Sequence, residues 1–418
     1  MGVLKYGKKA GPGIVTGAAD NDPSGIATYS QTGAQFGYDQ LWTALFLLPL
    51  QTAIQESCAR VGAITGQGLA ALIKKQYGSF ILFFLVFLVL VANIINIGAD
   101  LAAMTATVRL LIPVPFSFLI ILFTASIVIL EIFVCYKDYA GILKWLCLTL
   151  LAYPLTLFFI HAPWLTILKS TFIPTFKFDF QFLFIITGVL GTTISPYLFF
   201  WEASHEVEEV KCKHLAKNGA KPKISKKFMR NLRIDNFLGM LFSQICAWSI
   251  IVVAATVLNP HGITDIKTAA DAAKALEPFV GRFAEIIFAV GVVGLGFLSI
   301  SILAGSGAYA LSEAFNWTTG LDLKFSSARG FYSVIIFSTV IGLLIGSSPI
   351  NPMKALVYAA VINGVVAVPL IFFIWLIANN KKIMGNHKSG WLSNIFVWLC
   401  FICMGVTSIA MFVTMGKG

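Results

Sequence analysis

From residue 80 to residue 99 the chain reads FILFFLVFLVLVANIINIGA, without one charged side chain and long enough to cross a bilayer as a single helix. In hydrocarbon a chain must satisfy its own backbone N–H and C=O groups, which a run of this length does as an α-helix. Comparable apolar stretches bounded by polar or turn residues recur about eleven times. They fall near 13–37, 42–70, 80–111, 115–135, 139–161, 182–207, 236–258, 281–313, 330–347, 353–378 and 391–414. Composition agrees: 58% of the 418 residues are hydrophobic and only 12% are charged, against about 25% charged in soluble domains. A soluble globule is excluded. The expectation is an all-α integral membrane protein forming a single polytopic domain over 1–418.

The net charge of +11 would suggest nucleic acid in a soluble protein, but in a membrane protein Lys and Arg first report topology. With the N-terminus in the cytoplasm, the inward loops hold Lys74, Lys75 and Lys137, and then a long stretch with Lys211, Lys213, Lys217, Lys221, Lys223, Lys226, Lys227, Arg230 and Arg233. Lys324, Arg329, Lys381, Lys382 and Lys388 follow on the same side. The opposite loops hold chiefly Lys169, Lys177, Lys267, Lys274 and Arg282. This bias places the N-terminus in the cytoplasm and the C-terminus outside, in a cell (inner) membrane, with no nucleic-acid partner. The basic 209–235 stretch reads as a solvated connector, and lipid headgroups are its other reading. The short basic start (Lys5, Lys8, Lys9) does not read as a cleavable signal peptide.

Two spans contain helix breakers. The first carries Asp20-Asn21-Asp22-Pro23-Ser24-Gly25, and the sixth carries Gly191-Thr192-Thr193-Ile194-Ser195-Pro196-Tyr197. An ionisable group at membrane depth costs a few kcal/mol and is a functional hypothesis by default. Irregular backbone there is tolerated only where it lines a cavity or is buried in protein. The period between these spans is five and odd, so the second half is an inverted copy of the first, and paired broken helices point to a substrate site at the midplane. The expectation is a 5+5 inverted repeat, with repeat one about 13–161, repeat two about 182–378 and an extra helix about 391–414. Pro23 and Pro196 are the helix breakers.

Gly13, Asp22-Pro23-Ser24-Gly25-Ile26-Ala27-Thr28 and Gly33-Ala34-Gln35-Phe36-Gly37-Tyr38 resemble the opening of the Nramp divalent-metal transporters, as does Gly11. In that family the first helix breaks at Asp-Pro-Gly-Asn and the sixth at Met-Pro-His. Here Gly25 stands at the Asn position, Ser195 at the Met position and Tyr197 at the His position. The third span has Gly98-Ala99-Asp100-Leu101-Ala102-Ala103, with Ala103 at the family's Glu position. The chain therefore resembles a divergent branch, nearest the Nramp-related magnesium transporters that lack the sulfur ligand.

The resemblance implies a metal site of the Asp22 carboxylate, the Ser195 and Thr192 hydroxyls, and carbonyls freed by unwinding near Ala19 and Thr192, with Gly25 leaving room for water. Soft sulfur favours softer ions, whereas oxygen ligands and retained waters suit Mg²⁺ or Mn²⁺. Asp22 could instead cap a helix N-terminus, but caps usually sit at water, which favours the ligand role. Ser195 and Thr192 could instead bond backward to carbonyls in their own helix.

Ser195, Glu202 and Glu206 fall on one helical face running from the site toward the cytoplasm. They could form an acidic inner vestibule, or Glu202 and Glu206 could belong to a water-exposed helix end. The resemblance associates the third-span acids and the sixth-span His with a proton route. Of these only Asp100 persists, so transport without obligatory proton coupling becomes the expectation, since a relay needs titratable groups within hydrogen-bond reach. Asn93, Asn96, Asn363 and Gln51 read as interhelical hydrogen-bonding groups.

Enzyme signatures are absent. Gly291-Val-Val-Gly294-Leu-Gly296 lies inside a span and reads as small-residue packing. Cys400 and Cys403 have redox or metal spacing without further ligands nearby, and the five His are scattered. The expected function is a divalent cation transporter working by alternating access, with the transported ion as its ligand and no cofactor. A proton-coupled Mn²⁺/Fe²⁺ carrier, a cation-coupled carrier of a small organic solute and a membrane receptor without transport are the other readings.

Overall fold

A computed structural model describes residues 12–134, 147–215, 222–321 and 323–415. Lys5, Lys8, Lys9, Gly11, Cys135, Lys137, Lys217, Lys221 and the 139–146 start of the fifth span lie outside the described residues.

Span 1 is two helices, α1 (Pro12–Ala19) and α2 (Pro23–Phe36), with Asp20, Asn21 and Asp22 between them. Pro23 opens α2 as its first residue because it lacks the N–H that has no partner there. Span 2 is α3 (Trp42–Thr65), which stops at Gly66 in the left-handed region (φ 65°) that glycine enters without strain. The short α4 (Leu69–Tyr77) follows. Spans 3 and 4 are α5 (Ser79–Leu111) and α6 (Phe116–Phe133).

Span 6 is again two helices, α7 (Phe180–Thr193) and α8 (Pro196–Cys212). They are followed by α9 (Lys226–Val257), α10 (Ala284–Phe315), α11 (Arg329–Gly346), α12 (Pro352–Asn379) and α13 (Trp391–Thr414) for spans 7 to 11. Eight helical stretches among the described residues are long and apolar enough to cross a membrane. Phe80, Phe133, Phe158, Leu165 and Phe178 stand fully outward on the surface, as lipid-facing side chains do.

The expected 209–235 connector is shorter than its composition implied. Helix α8 runs on to Cys212, and α9 begins at Lys226 because Ser225 caps it, accepting from Phe228 N at 3.1 Å. Helices tolerate Lys and Arg on faces that leave the membrane, so charge alone did not mark their ends.

Both halves of span 1 pack on α9, α3 packs on α8 and α9, and α7 packs on α12. The long α5 lies against α10, α11 and α12. Close approach depends on small residues: a Cβ on Gly17 would stand 2.2 Å from Gly239 O, and one on Gly191 would stand 2.0 Å from Ala360 O. Gly291 and Gly296 likewise meet Thr149 and Met104, so that motif is packing. Asn93 makes its interhelical bonds, to Leu303 O and Ser306 Oγ, both at 2.9 Å. Asn96 and Asn363 do not: both side chains are buried without a hydrogen-bond partner.

Candidate metal site at the two helix breaks

The chain leaves α1 with a last helical bond from Asp20 N to Thr16 O at 3.0 Å, and re-enters a helix at Pro23. Asp22 is the N-cap of α2: its Oδ1 accepts from Gly25 N at 2.6 Å and from Ser24 Oγ at 2.8 Å. The cap that the sequence reading set below the ligand role is therefore present, because the break creates amides at membrane depth that need an acceptor as much as any at a water surface. Tyr197 donates its hydroxyl to the other oxygen, Oδ2, at a long 3.4 Å.

Gly25 marks where oxygens converge. A Cβ there would stand 3.1 Å from Thr192 Oγ1, 3.3 Å from the Asp20 carbonyl oxygen and 3.4 Å from Asp22 Oδ1. Thr192 Oγ1 is buried and has no hydrogen-bond partner. Three oxygens from both broken spans thus surround a point that any side chain at position 25 would fill. No sulfur is among these nearest atoms.

Two sequence expectations change. Ser195 Oγ lies 2.8 Å from Gly191 O and 2.7 Å from Thr192 O, so its hydroxyl serves the end of α7; the Thr192 carbonyl, whose helical donor would be the N–H that Pro196 lacks, accepts this bond on one of its two lone pairs. A hydroxyl just past a helix end reaches the unpaired carbonyls of the last turn more easily than a distant ion. The main-chain oxygen that faces Gly25 is that of Asp20, one residue after the expected Ala19. Ala19 itself is the last residue of α1 and is buried.

The expected open vestibule along α8 is also corrected. Glu202 and Glu206 are 0% and 3% exposed. Glu202 Oε2 accepts from the Thr16 hydroxyl, and Gly13 N donates to Asp235 Oδ2 at 2.8 Å, which ties α1 onto α8 and α9. Gly13 and Gly17 let α1 approach α9 closely enough to cover that face: a Cβ on Gly13 would meet Asn236 Cα at 2.5 Å.

The other end differs. A cavity of about 630 Å³ opens among the ends of α2, α7 and α12, lined by Gln31, Gln35, Gln181, Asp265, Lys354 and Tyr358 among others. Beneath it α2 closes on α7 where Tyr29 and Thr193 share a hydrogen bond of 2.8 Å. Asp22 is 1% exposed, so the Gly25 point is shut off from both ends.

Asp100, on α5, accepts from Ser299 Oγ at 2.7 Å and keeps Oδ1 unpartnered. Sequence reasoning missed Asp20 as a site residue. Its side chain accepts from Gln51 Nε2 at 2.8 Å and from Ser243 Oγ. The available signal was a second carboxylate two residues before the first, in a membrane span. Among the described residues no three His, Cys, Asp or Glu side chains are grouped to hold a metal, and Cys400 and Cys403 are free thiols.

Residues 13–414 match the family model described as natural resistance-associated macrophage protein-like, or Nramp. The chain is 26% identical over 391 residues to the divalent metal cation transporter MntH of Caldanaerobacter subterraneus, covering 91% of this chain and 86% of that protein. It is 25% identical over 415 residues to MntH of Bacillus subtilis, covering 96% and 91%. In structure it resembles the Eremococcus coleocola manganese transporter, with a TM-score of 0.76 at 15% identity, covering 98% and 86%. The fold extends to MhsT in complex with L-phenylalanine, with a TM-score of 0.61 at 12% identity, covering 96% and 98%.

Proposed function

The chain belongs to the Nramp family, and from that premise we propose that it carries divalent metal cations across a membrane by alternating access, with the ion held at the oxygen cradle facing Gly25. The observation that carries this reading is the convergence of Thr192 Oγ1, the Asp20 carbonyl and Asp22 Oδ1 on one buried point between the two broken helices. The names of the MntH relatives support the substrate class.

The favoured ions are Mg²⁺ and Mn²⁺. A single carboxylate with neutral oxygens suits a hard cation that keeps part of its water shell, and the soft donor that would favour softer ions is replaced by Ser195. Glycine at position 25 leaves the volume that a retained water needs. An organic solute with a carboxylate of its own would be repelled by Asp22, which disfavours the carrier of small organic molecules despite the shared fold with MhsT.

In this reading the bonds from Thr16 to Glu202 and from Gly13 to Asp235 hold one gate shut, and the Tyr29–Thr193 contact holds the other. Transport breaks them alternately. The positive-inside bias supports a cytoplasmic N-terminus in an inner membrane, which puts the Thr16–Glu202 gate on the cytoplasmic side. Ala103 and Tyr197 remove two groups that a proton route would use, which supports metal movement without obligatory proton transfer. The proton-coupled alternative is favoured by Asp100, whose Oδ1 is buried without a partner.

The experiment is metal competition in proteoliposomes. Uptake of Mn²⁺ that Mg²⁺ suppresses at comparable concentrations supports the all-oxygen site. Uptake that Cd²⁺ suppresses and Mg²⁺ leaves untouched contradicts it.

A further inference from the structure

The helix break in span 1 faces two ways. The carbonyl of Asp20 points at the metal cradle, while its carboxylate points into a separate polar cluster between α3 and α9. Ser243 Oγ, on α9, donates to Asp20 Oδ2 and accepts from Asn21 Nδ2 at 3.1 Å. Gln51 Nε2, on α3, donates to the same Oδ2 at 2.8 Å. An ionised carboxylate only accepts, so Gln51 must turn its amide nitrogen toward Asp20 and its oxygen away. That oxygen accepts from Gln244 Nε2 at 2.8 Å, which fixes the second amide in turn.

With those orientations set, two acceptor oxygens of the cluster remain without a donor. Asp20 Oδ1 and Asn21 Oδ1 are fully buried oxygens without a hydrogen-bond partner, and both side chains converge on the one Ser243 hydroxyl. Buried polar atoms are normally satisfied. Here the surplus is of oxygen, in a place that also receives the C-terminal end of α1, where the helix dipole favours positive charge. Unwound backbone and half-helix C-termini coordinate Na⁺ in carriers built on broken helices.

We propose that Asp20, Asn21 and Ser243 form a second cation site, separate from the metal cradle, that takes a monovalent ion such as Na⁺. One carboxylate with neutral hydroxyl and amide oxygens balances a single positive charge in full, and half-helix C-termini with neutral oxygens are where broken-helix carriers hold Na⁺. Gln51 and Gln244 are positioning residues, holding the carboxylate so that Oδ1 stays available. Asp20 belongs to both sites, by its carbonyl to the cradle and by its carboxylate to this cluster. The ion bears on the transport reading above through that shared residue, but its binding can be read without any divalent metal.

The test is thermal unfolding of the purified full chain in chelator, with NaCl against choline chloride at equal ionic strength. Na⁺ raises the unfolding temperature of the wild type in a saturable way, and Asp20→Asn loses the rise. Ser243→Ala, which keeps every charge, weakens the apparent Na⁺ affinity by about tenfold, the scale of one lost hydrogen bond to a charged group. It carries the test if Asp20→Asn does not fold. Asp22→Asn keeps the Na⁺ response, because the Asp22 carboxylate bonds the amides of α2 and not this cluster. A wild type indifferent to Na⁺ overturns the proposal, as does a response that survives Ser243→Ala unchanged or disappears in Asp22→Asn. A chain that answers Na⁺ but takes up no divalent metal contradicts the transport reading and leaves this site standing.

Discussion

The hydroxyl of Thr16, in the half of span 1 before its break, donates to the carboxylate of Glu202 in the half of span 6 after its break. The two broken helices therefore meet at the oxygens around Gly25 and the Tyr197–Asp22 bond at their centre, at the Tyr29–Thr193 bond on one side, and at this buried bond on the other. A carboxylate that is 0% exposed needs such a donor, since losing it leaves the group unsatisfied at a cost of about 1–3 kcal/mol.

Thr16→Val is expected to weaken the closed state on that side. Cys58 is fully buried on α3, which packs against the helix α8 that carries Glu202. In a background where Cys58 is the sole cysteine, maleimide labelling should quicken by about tenfold in Thr16→Val, the scale of a lost buried bond of about 1.4 kcal/mol. Labelling as slow as in the parent would show that the bond does not hold the gate.

Gly25→Ala introduces a methyl 3.1–3.4 Å from three oxygens. The folded state tolerates that spacing with small shifts, but the ion and its water lose their place. Mg²⁺ uptake should fall at least as far as Mn²⁺ uptake, because Mg²⁺ gives up its water shell more reluctantly. Isotope or dye-based uptake of both ions reads this, and parental Mg²⁺ uptake in the variant would move the site elsewhere.

How much of this was legible beforehand follows the physics of each signal. The breaks at Asp22-Pro23 and Ser195-Pro196 were readable because a proline beside polar residues in an apolar run has few other meanings. The donors were less so. Ser195 and Thr192 are both hydroxyls near the same break, and only geometry shows that Ser195 turns back to Gly191 and Thr192 while Thr192 Oγ1 stays free of partners. Glu202 and Glu206 lay on the expected face of α8, yet helical periodicity cannot tell a water-lined face from one covered by α1. That depended on Gly13 and Gly17 meeting Asn236 and Gly239, a contact between residues more than two hundred positions apart.

Ser195→Met is expected to shift selectivity toward Mn²⁺ and Cd²⁺ and away from Mg²⁺, by adding sulfur. It also removes the hydroxyl that serves the Gly191 and Thr192 carbonyls, so some loss of stability accompanies it. Calorimetric titration of both proteins with Mg²⁺, Mn²⁺ and Cd²⁺ checks the ranking. An unchanged order of affinities would place Ser195 out of reach of the ion.

Metal uptake should proceed without stoichiometric acidification of the vesicle interior, given Ala103 and Tyr197 at the positions of two lost titratable groups. Metal flux and a pH-sensitive dye recorded in the same vesicles test this. An internal proton signal that grows with metal concentration and vanishes in Asp100→Asn would restore a proton route through α5.

Asp22 offers the most direct test of the metal cradle, provided its two duties are separated. Asp22→Ala would remove both the cap of α2, worth about 0.5–2 kcal/mol, and the charge at the cradle. Asp22→Asn keeps the cap, since Asn is as good a cap as Asp, and removes only the charge. The measurement is Mg²⁺ and Mn²⁺ uptake into proteoliposomes by the wild type and Asp22→Asn, with both proteins folded by circular dichroism. The expected result is saturable uptake by the wild type and loss of uptake in Asp22→Asn with little change in melting temperature without metal. Parental uptake by Asp22→Asn would contradict the placement of the ion between the two broken helices.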